Sequence, residues 1–254
     1  MTEDQPVLCE DHGAIRLLTL NRPAKKNAFS PQMARLLTEL LSSAAEDDAV
    51  RVVVVTGAGD TFSAGVDVSV FLRAGEGDAA GVGDLTALHE TLRSFPKPLI
   101  AAVQGKAVGM GVTLLPHFDM VYAAKGATFL TPFVRLGLVL EYGSSYTLPR
   151  LIGRQRANEL ILRAKPVDAQ VAEAWGLVTR TFASDELMAA VLEVAGEIAS
   201  CPPGAVMESK RLIQQGEEAA FQESVERENE VLQKRYGSPE NVEAVTAFLS
   251  RKKG

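Results

Sequence analysis

The apolar and polar positions of the chain fall into blocks whose spacing changes along its length. Val7 to Glu10 and Ala14 to Leu20 are short apolar-rich runs separated by Asp11, His12 and Gly13, and the second is closed by the breaker Asn21-Arg22-Pro23, so the start predicts a hairpin. Ser30-Pro31 then offers an N-cap followed by proline at the first helical position. Met33, Leu36, Leu37, Leu40, Leu41 and Ala44 recur at steps of three and four, which predicts an amphipathic helix. Val50 to Thr56 is a β-branched run stopped by Gly57, the pattern of a strand buried on both faces of a parallel sheet. Strand, helix and strand in that order imply a right-handed crossover.

From Arg73 to Asp84 the chain is rich in Gly, Ala and Asp without a period, which predicts a loop of the kind that borders or gates a site. A helix over Asp84 to Arg93 meets Phe95-Pro96-Lys97-Pro98. After it Leu99 to Val103 reads as a buried strand stopped by Gly105, and Met120 to Ala124 and Ala127 to Leu130 continue the strand-like segments. From Ser144 onward helices dominate: Ser144 to Ile152, Arg154 to Arg163, Asp168 to Trp175, Ser184 to Ser200, Gly204 to Gln215, Glu217 to Arg235 and Pro239 to Arg251, interrupted by a short strand over Leu177 to Phe182. Alternating βα units followed by helices predict an α/β fold, a layered core over residues 1–195 with a helical C-terminal region over residues 196–254. No internal repeat is visible. Trp175, at a helix end before Gly176-Leu177, is expected to pack beneath that turn.

Composition narrows the function classes. A chain of 254 residues, 46% apolar and 23% charged, has enough material for one α/β domain with a helical appendage. No run of about 18 uncharged apolar residues exists, so no transmembrane helix is expected, and the polar, acidic stretch Met1 to Pro6 does not read as a signal or transit peptide. The expected location is cytoplasmic. A net charge of −6 repels nucleic acid and obliges any anionic ligand to find local donors, while the basic cluster Arg251 to Lys253 reads as a solvated end. Cys9 and Cys201 form no CxxC pair, which fits two structural thiols in a reduced compartment without a disulfide. His12, His89 and His117 lack metal-ligand spacing, so they read as surface or capped core histidines and no metal is expected.

Two glycine-containing turns follow the predicted buried strands, where α/β proteins bind ligands. The first, Gly57-Ala58-Gly59-Asp60-Thr61-Phe62-Ser63-Ala64-Gly65-Val66-Asp67, begins GxG but carries Phe62 at the sixth position. The second, Gly105-Lys106-Ala107-Val108-Gly109-Met110-Gly111, also lacks a nucleotide pattern, and no GxxxxGK[ST] loop occurs, which argues against nicotinamide and ATP. Each turn alone reads as ordinary turn chemistry. Taken with Leu20-Asn21-Arg22-Pro23, Lys26-Asn27-Ala28-Phe29, Lys97-Pro98-Leu99-Ile100-Ala101-Ala102-Val103-Gln104-Gly105 and Leu148-Pro149-Arg150-Leu151-Ile152-Gly153, however, they resemble the crotonase (enoyl-CoA hydratase/isomerase) family from Val7 to the C-terminal helices.

That resemblance implies a crotonase-like layered ββα spiral core and an acyl-CoA thioester substrate whose carbonyl is held by the peptide N–H groups of Val66 and Met110. Removing a proton beside a thioester moves negative charge onto the carbonyl oxygen, and fixed amide donors in a dry site lower that barrier by about 3 kcal/mol each. A helix starting near Gly111 would point its N-terminus the same way. The resemblance further assigns substrate contacts to Lys25, Lys26, Ala28, Ala64, Gly65, Asp67, Val68, Gly109 and Phe133. It calls for no cofactor beyond the coenzyme A that the substrate carries, and for a homotrimer or a dimer of trimers.

The choice of reaction turns on counting carboxylates. Hydratases of the family use two glutamates, at positions matched here by Thr113 and Phe133, neither of which is an acid. The remaining acid is Glu141, within Thr131 to Thr147. This stretch resembles the peroxisomal-type Δ3,Δ2-enoyl-CoA isomerase branch, which places its catalytic glutamate four residues after the glycine matched by Gly137 and follows it with Ser144-Ser145-Tyr146-Thr147; Leu140 stands where the branch has Pro. One carboxylate suffices to move a double bond, taking a proton from C2 and returning it at C4. Phe133, Leu140 and Tyr142 are candidates for an apolar surround that raises its pKa. Apart from the resemblance, Glu141 also reads as a carboxylate at the N-terminus of the helix that starts at Ser144. Hydration or thioester hydrolysis with Glu141 as sole base, and a non-catalytic acyl-CoA-binding homologue, remain alternative functions.

Overall fold

The computed structural model describes residues 5–67, 70, 80–216 and 218–251. The N-terminal hairpin pairs β1 (Val7–His12) with β2 (Ile15–Leu20) in antiparallel register. A crossover through α1 (Pro31–Glu46) then returns the chain to β3 (Val52–Gly57), parallel to β2. The helix starts where the sequence reading put it: Ser30 Oγ accepts the Met33 N–H at 3.2 Å, and Pro31 occupies the first turn. Its buried face is Met33, Ala34, Leu37, Leu41 and Ala44, and each of the larger side chains adds about 1.5–3 kcal/mol of transfer free energy.

From β3 onward the chain advances as a spiral that alternates between two sheets. β3 joins the first sheet and β4 (Thr61–Ser63) the second, and α2 (Ala80–Ser94) leads to β5 (Leu99–Val103) in the first and β6 (Lys106–Val108) in the second. After α3 (Met110–Thr113), β7 (Met120–Ala124) returns to the first sheet and β8 (Thr128–Leu130) to the second. With β9 (Val167–Asp168) and β10 (Arg180–Phe182) at the ends, the spatial orders are β1-β2-β3-β5-β7-β10 and β4-β6-β8-β9. Alternate residues of the first sheet face opposite layers. Val53, Val55, Leu99, Ala101 and Val103 join the core under α1 and α2, whereas Val52, Val54, Ile100 and Ala102 pack with Leu187, Val191 and Ala195 of α7 (Leu187–Ser200).

The helices α4 (Ser144–Ile152), α5 (Arg154–Arg163), α6 (Ala169–Trp175), α8 (Pro203–Gln215), α9 (Glu218–Arg235) and α10 (Pro239–Arg251) complete the described chain. The helix expected from Asp84 starts at Ala80, so the predicted loop loses its last residues, and its 73–79 portion lies outside the described residues. Val68, Lys252 and Lys253 also lie outside them. The strand expected over Leu177 to Phe182 is confined to Arg180–Phe182, because Leu177 and Val178 are spent on the turn that Gly176 closes over α6, their N–H groups both donating to Ala172 O. Trp175 packs on the core beside this turn. Cys9 and Cys201 are exposed, so the expectation of structural thiols is corrected: neither helps to fill the core. His12 is exposed, and His89 and His117 are buried against each other. Among the described residues no group of side chains could hold a metal ion, and no helix is long and apolar enough to cross a membrane.

Candidate active site

The register of the small second sheet brings the two glycine turns together. Ser63 of β4 lies opposite Ala107 of β6, and three residues further along each strand come Val66 and Met110. Gly65 permits the close approach: at φ +87° it sits where a Cβ would lie 2.7 Å from Val108 O and 3.5 Å from Met110 N. The neighbouring peptide N–H groups are engaged, Gly65 N with Ser63 Oγ (3.1 Å), Asp67 N with Phe29 O (2.9 Å) and Gly109 N with Leu130 O (2.8 Å). The N–H groups of Val66 and Met110, two donors on adjacent turns, thus have no acceptor among the described residues.

The segment before α1 is laced to the first of these turns. Ala64 N donates to Lys26 O (2.9 Å), Ser63 Oγ to Asn27 O (2.9 Å) and Phe29 N to Gly65 O (2.8 Å), so Lys25, Lys26 and Ala28 lie alongside Ala64 and Gly65. Lys25 and Lys26 are exposed, and Ala28 is buried. Asp67 is committed to protein, accepting from Arg22 Nη2 at 3.1 Å while Arg22 Nη1 donates to Ala28 O. Asn27, which the sequence reading treated only as part of a motif, is fully buried at φ +52°. Its amide donates to Ala58 O (2.9 Å) and Thr61 O (2.6 Å), and its Oδ1 accepts from Arg22 N (2.9 Å). Phe133 is buried in a short 3-10 helix over Phe133–Leu136.

Glu141 is brought to α3. It is buried, and its Oε1 lies 3.5 Å from the hydroxyl of Thr113, at the limit of a hydrogen bond and one helical turn from the Met110 N–H. Burial, and then the charge of Glu228, push its carboxyl up to about 8, against a small opposing effect of the Thr113 hydroxyl. Leu140 and Tyr142 on either side of it pack against the main core. Burial and the charge of Glu141 raise the phenols of Tyr142 and Tyr236. Tyr236 keeps 40% of its surface exposed, so it is the hydroxyl end that is withdrawn from water.

The alternative for Glu141, a carboxylate serving the N-terminus of α4, is met by a different residue. Glu228 of α9 accepts the N–H of Gly143 with Oε2 (2.8 Å) and that of Ser145 with Oε1 (2.7 Å). Sequence reasoning missed it because its partners lie 85 and 83 positions away and no local pattern marks it. Below the same turn, His117 Nε2 sits 3.0 Å from His89 Nε2 and 3.2 Å from Tyr142 O. Burial is the main cause that lowers the two rings to about 4 and about 3, so both are neutral, with one of the facing nitrogens carrying the hydrogen. The loop is also tied from α9 and α10: Arg235 Nε donates to Gly137 O (2.8 Å) and Asn241 Nδ2 to Leu136 O (2.7 Å).

Comparison with known proteins gives this geometry its relatives. The family model described as enoyl-CoA hydratase/isomerase matches residues 10–254. Enoyl-CoA delta isomerase 2 of Rattus norvegicus is 40% identical over 98% of this chain, which spans 65% of that protein's length, less than two thirds. The 2,3-dehydroadipyl-CoA hydratase of Escherichia coli (strain K12) is 34% identical, covering 94% of this chain and 93% of its own. A solved enoyl-CoA hydratase/isomerase from Pseudoalteromonas atlantica T6c superposes with a TM-score of 0.92 at 36% identity, over 97% of this chain and 98% of its own.

Proposed function

We propose that this chain, which belongs to the enoyl-CoA hydratase/isomerase family, is a Δ3,Δ2-enoyl-CoA isomerase in which Glu141 moves the protons and the peptide N–H groups of Val66 and Met110 hold the thioester oxygen. The observation that carries the reading is the division of labour between two carboxylates. Glu141 and Glu228 are the buried acids among the described residues. Both oxygens of Glu228 are taken by peptide donors, which leaves Glu141 as the lone acid beside α3. A single base fits double-bond migration better than water addition, which needs one group to activate the water and another to deliver the proton.

In the proposed step the Glu141 carboxylate takes a proton from C2 of a 3-enoyl thioester. The C–H electron pair moves into the carbonyl, giving a dienolate whose oxygen charge faces the two N–H donors. Glu141 then returns the proton at C4, and the pair collapses to a C2–C3 double bond, so atoms and charge balance with no further reactant. Elevation of the Glu141 carboxyl to about 8 supports this shuttle, because the acid form it passes through is then stable near neutral pH. Nothing beyond the acyl-CoA itself is required. Lys25, Lys26, Ala28, Ala64 and Gly65, laced into one rim, are the proposed substrate contacts, together with Gly109, which precedes Met110, and the buried Phe133.

The test is turnover of 3-hexenoyl-CoA and of crotonyl-CoA by the purified protein, with Glu141→Gln beside wild type. Isomerisation without hydration is expected, and Glu141→Gln should lower kcat by roughly 10²- to 10⁴-fold while acyl-CoA binding is retained. Hydration of crotonyl-CoA without isomerisation would sink the reading. So would a Glu141→Gln enzyme with undiminished isomerase turnover.

A further inference from the structure

Glu228 does more in this fold than cap a helix. It reaches from α9 across to the start of α4, and its two oxygens grip Gly143 N and Ser145 N, the residues that follow the Glu141 turn. That turn needs holding: Tyr142 (φ +58°) and Gly143 (φ +71°) are successive left-handed residues, and Glu141 O is taken by Ser144 N (3.1 Å) and Ser144 Oγ (2.6 Å). The Glu141 side chain, in contrast, has among the described residues a single hydrogen-bonding contact, with the Thr113 hydroxyl at 3.5 Å. Its direction is therefore set by its backbone, which Glu228 holds from α9 together with the Ser144 contacts to Glu141 O and His117 at Tyr142 O.

We propose that Glu228 is a positioning residue for the proton-transferring carboxylate, fixing the turn from which Glu141 projects and facing it with a second buried negative charge. This role rests on the reading of Glu141 as the base. The titratable groups facing Glu141 among the described residues are Glu228 from α9, Tyr236 just beyond the end of that helix and Tyr142 from its own turn, with the Thr113 hydroxyl from α3. Burial raises the Glu228 carboxyl, and the N–H groups of Gly143 and Ser145, the Ser145 hydroxyl and Arg227 on its own helix oppose that by favouring its charged form. Of the groups facing Glu141, Glu228 is the carboxylate. Its charge opposes ionisation of Glu141 and makes it a stronger base once ionised.

Glu228→Gln keeps the shape, removes the charge and turns an amide donor toward one of the two N–H groups. The expected result is a kcat on 3-hexenoyl-CoA lower by roughly 10- to 100-fold with little change in KM. The Glu141 carboxyl, followed by infrared titration of the band lost in Glu141→Gln, should titrate lower by about half a unit to one unit. Glu228→Asp restores the charge one methylene short, so it should keep the wild-type midpoint while kcat stays reduced. A Glu228→Gln midpoint equal to wild type overturns the proposal, whatever its kcat. If Glu228→Gln does not fold, Glu228→Asp decides, and wild-type kcat in that variant overturns the proposal. If the wild-type enzyme fails to isomerise, the functional reading falls by itself, and the infrared midpoint still tests the coupling of Glu228 to Glu141.

Discussion

At the scale of single residues, the burial of Glu141 makes opposite demands on activity and stability. With its carboxyl raised to about 8, most of the group is protonated at neutral pH, so kcat/KM for isomerisation is expected to climb with pH through that value. The folded protein holds this proton up to about pH 8, whereas an unfolded glutamate releases it near pH 4.3. The associated stability is complete below the lower value and is lost as pH rises through the higher one. Glu141→Gln removes the cost of burying the charge. It should therefore gain stability relative to wild type between pH 5 and pH 9, by on the order of 2–4 kcal/mol in urea unfolding. A difference between the two proteins that stays flat across this range would mean that Glu141 is not held neutral. Glu141 could be picked out from its motif because its neighbours are sequence neighbours. Glu228 could not, since its work is done on residues more than eighty positions away.

Between elements, a few close approaches decide whether the turn forms. Gly143 combines a left-handed backbone with contact against α9, and a Cβ there would run into the ring of Phe221. Gly143→Ala is expected to cost about 2 kcal/mol or more in thermal or chemical unfolding, because strain and overpacking coincide. Gly126→Ala has open space around the added methyl and should stay within about 0.5 kcal/mol of wild type. Equal effects at the two positions would refute the packing argument. The elements differ in how plainly the sequence announces them. α1 carries cap, proline and periodic stripe together, and β3 and β5 carry apolar runs because both of their faces are buried. β4, β6 and β8 are three residues each and β9 is two, too short for any period to develop; β8 falls within the strand-like run Ala127 to Leu130, but β4, β6 and β9 carry no signal of their own, so their assembly into a second sheet is implied only by the family resemblance. For the same reason the spiral of ββα turns shows no repeat in the letters: each turn buries different side chains, and only the backbone register of β4 and β6 recurs closely enough to align Val66 with Met110.

For the molecule as a whole, the C-terminal helices belong to the site as much as the spiral does. Arg93 pairs with Glu218, Phe221 packs against Tyr146 and the histidine pair, and Glu228 and Arg235 hold the turn that carries Glu141. Along one edge of the molecule α8 behaves differently. Leu212 (64%) and Ile213 (80%) are exposed, while Lys210 of the same helix is buried, donating to Lys97 O (2.8 Å) and pairing with Asp119 (2.7 Å). The helix is thus pinned by Lys210, with a long contact from Gln214 Nε2 to Arg93 O (3.5 Å), and turns two large aliphatic side chains to water, a pair whose burial would contribute about 1.5–3 kcal/mol each. If the chain forms the trimer that the sequence resemblance implies, these side chains are expected to be covered there. Light scattering on the purified protein should then give three or six times the 27.2 kDa chain mass. The double substitution Leu212→Glu and Ile213→Glu should shift the mass toward a single chain without loss of helical content. A wild-type mass of one chain at micromolar concentration would rule the association out, and an unchanged oligomer in the double variant would move the interface off α8.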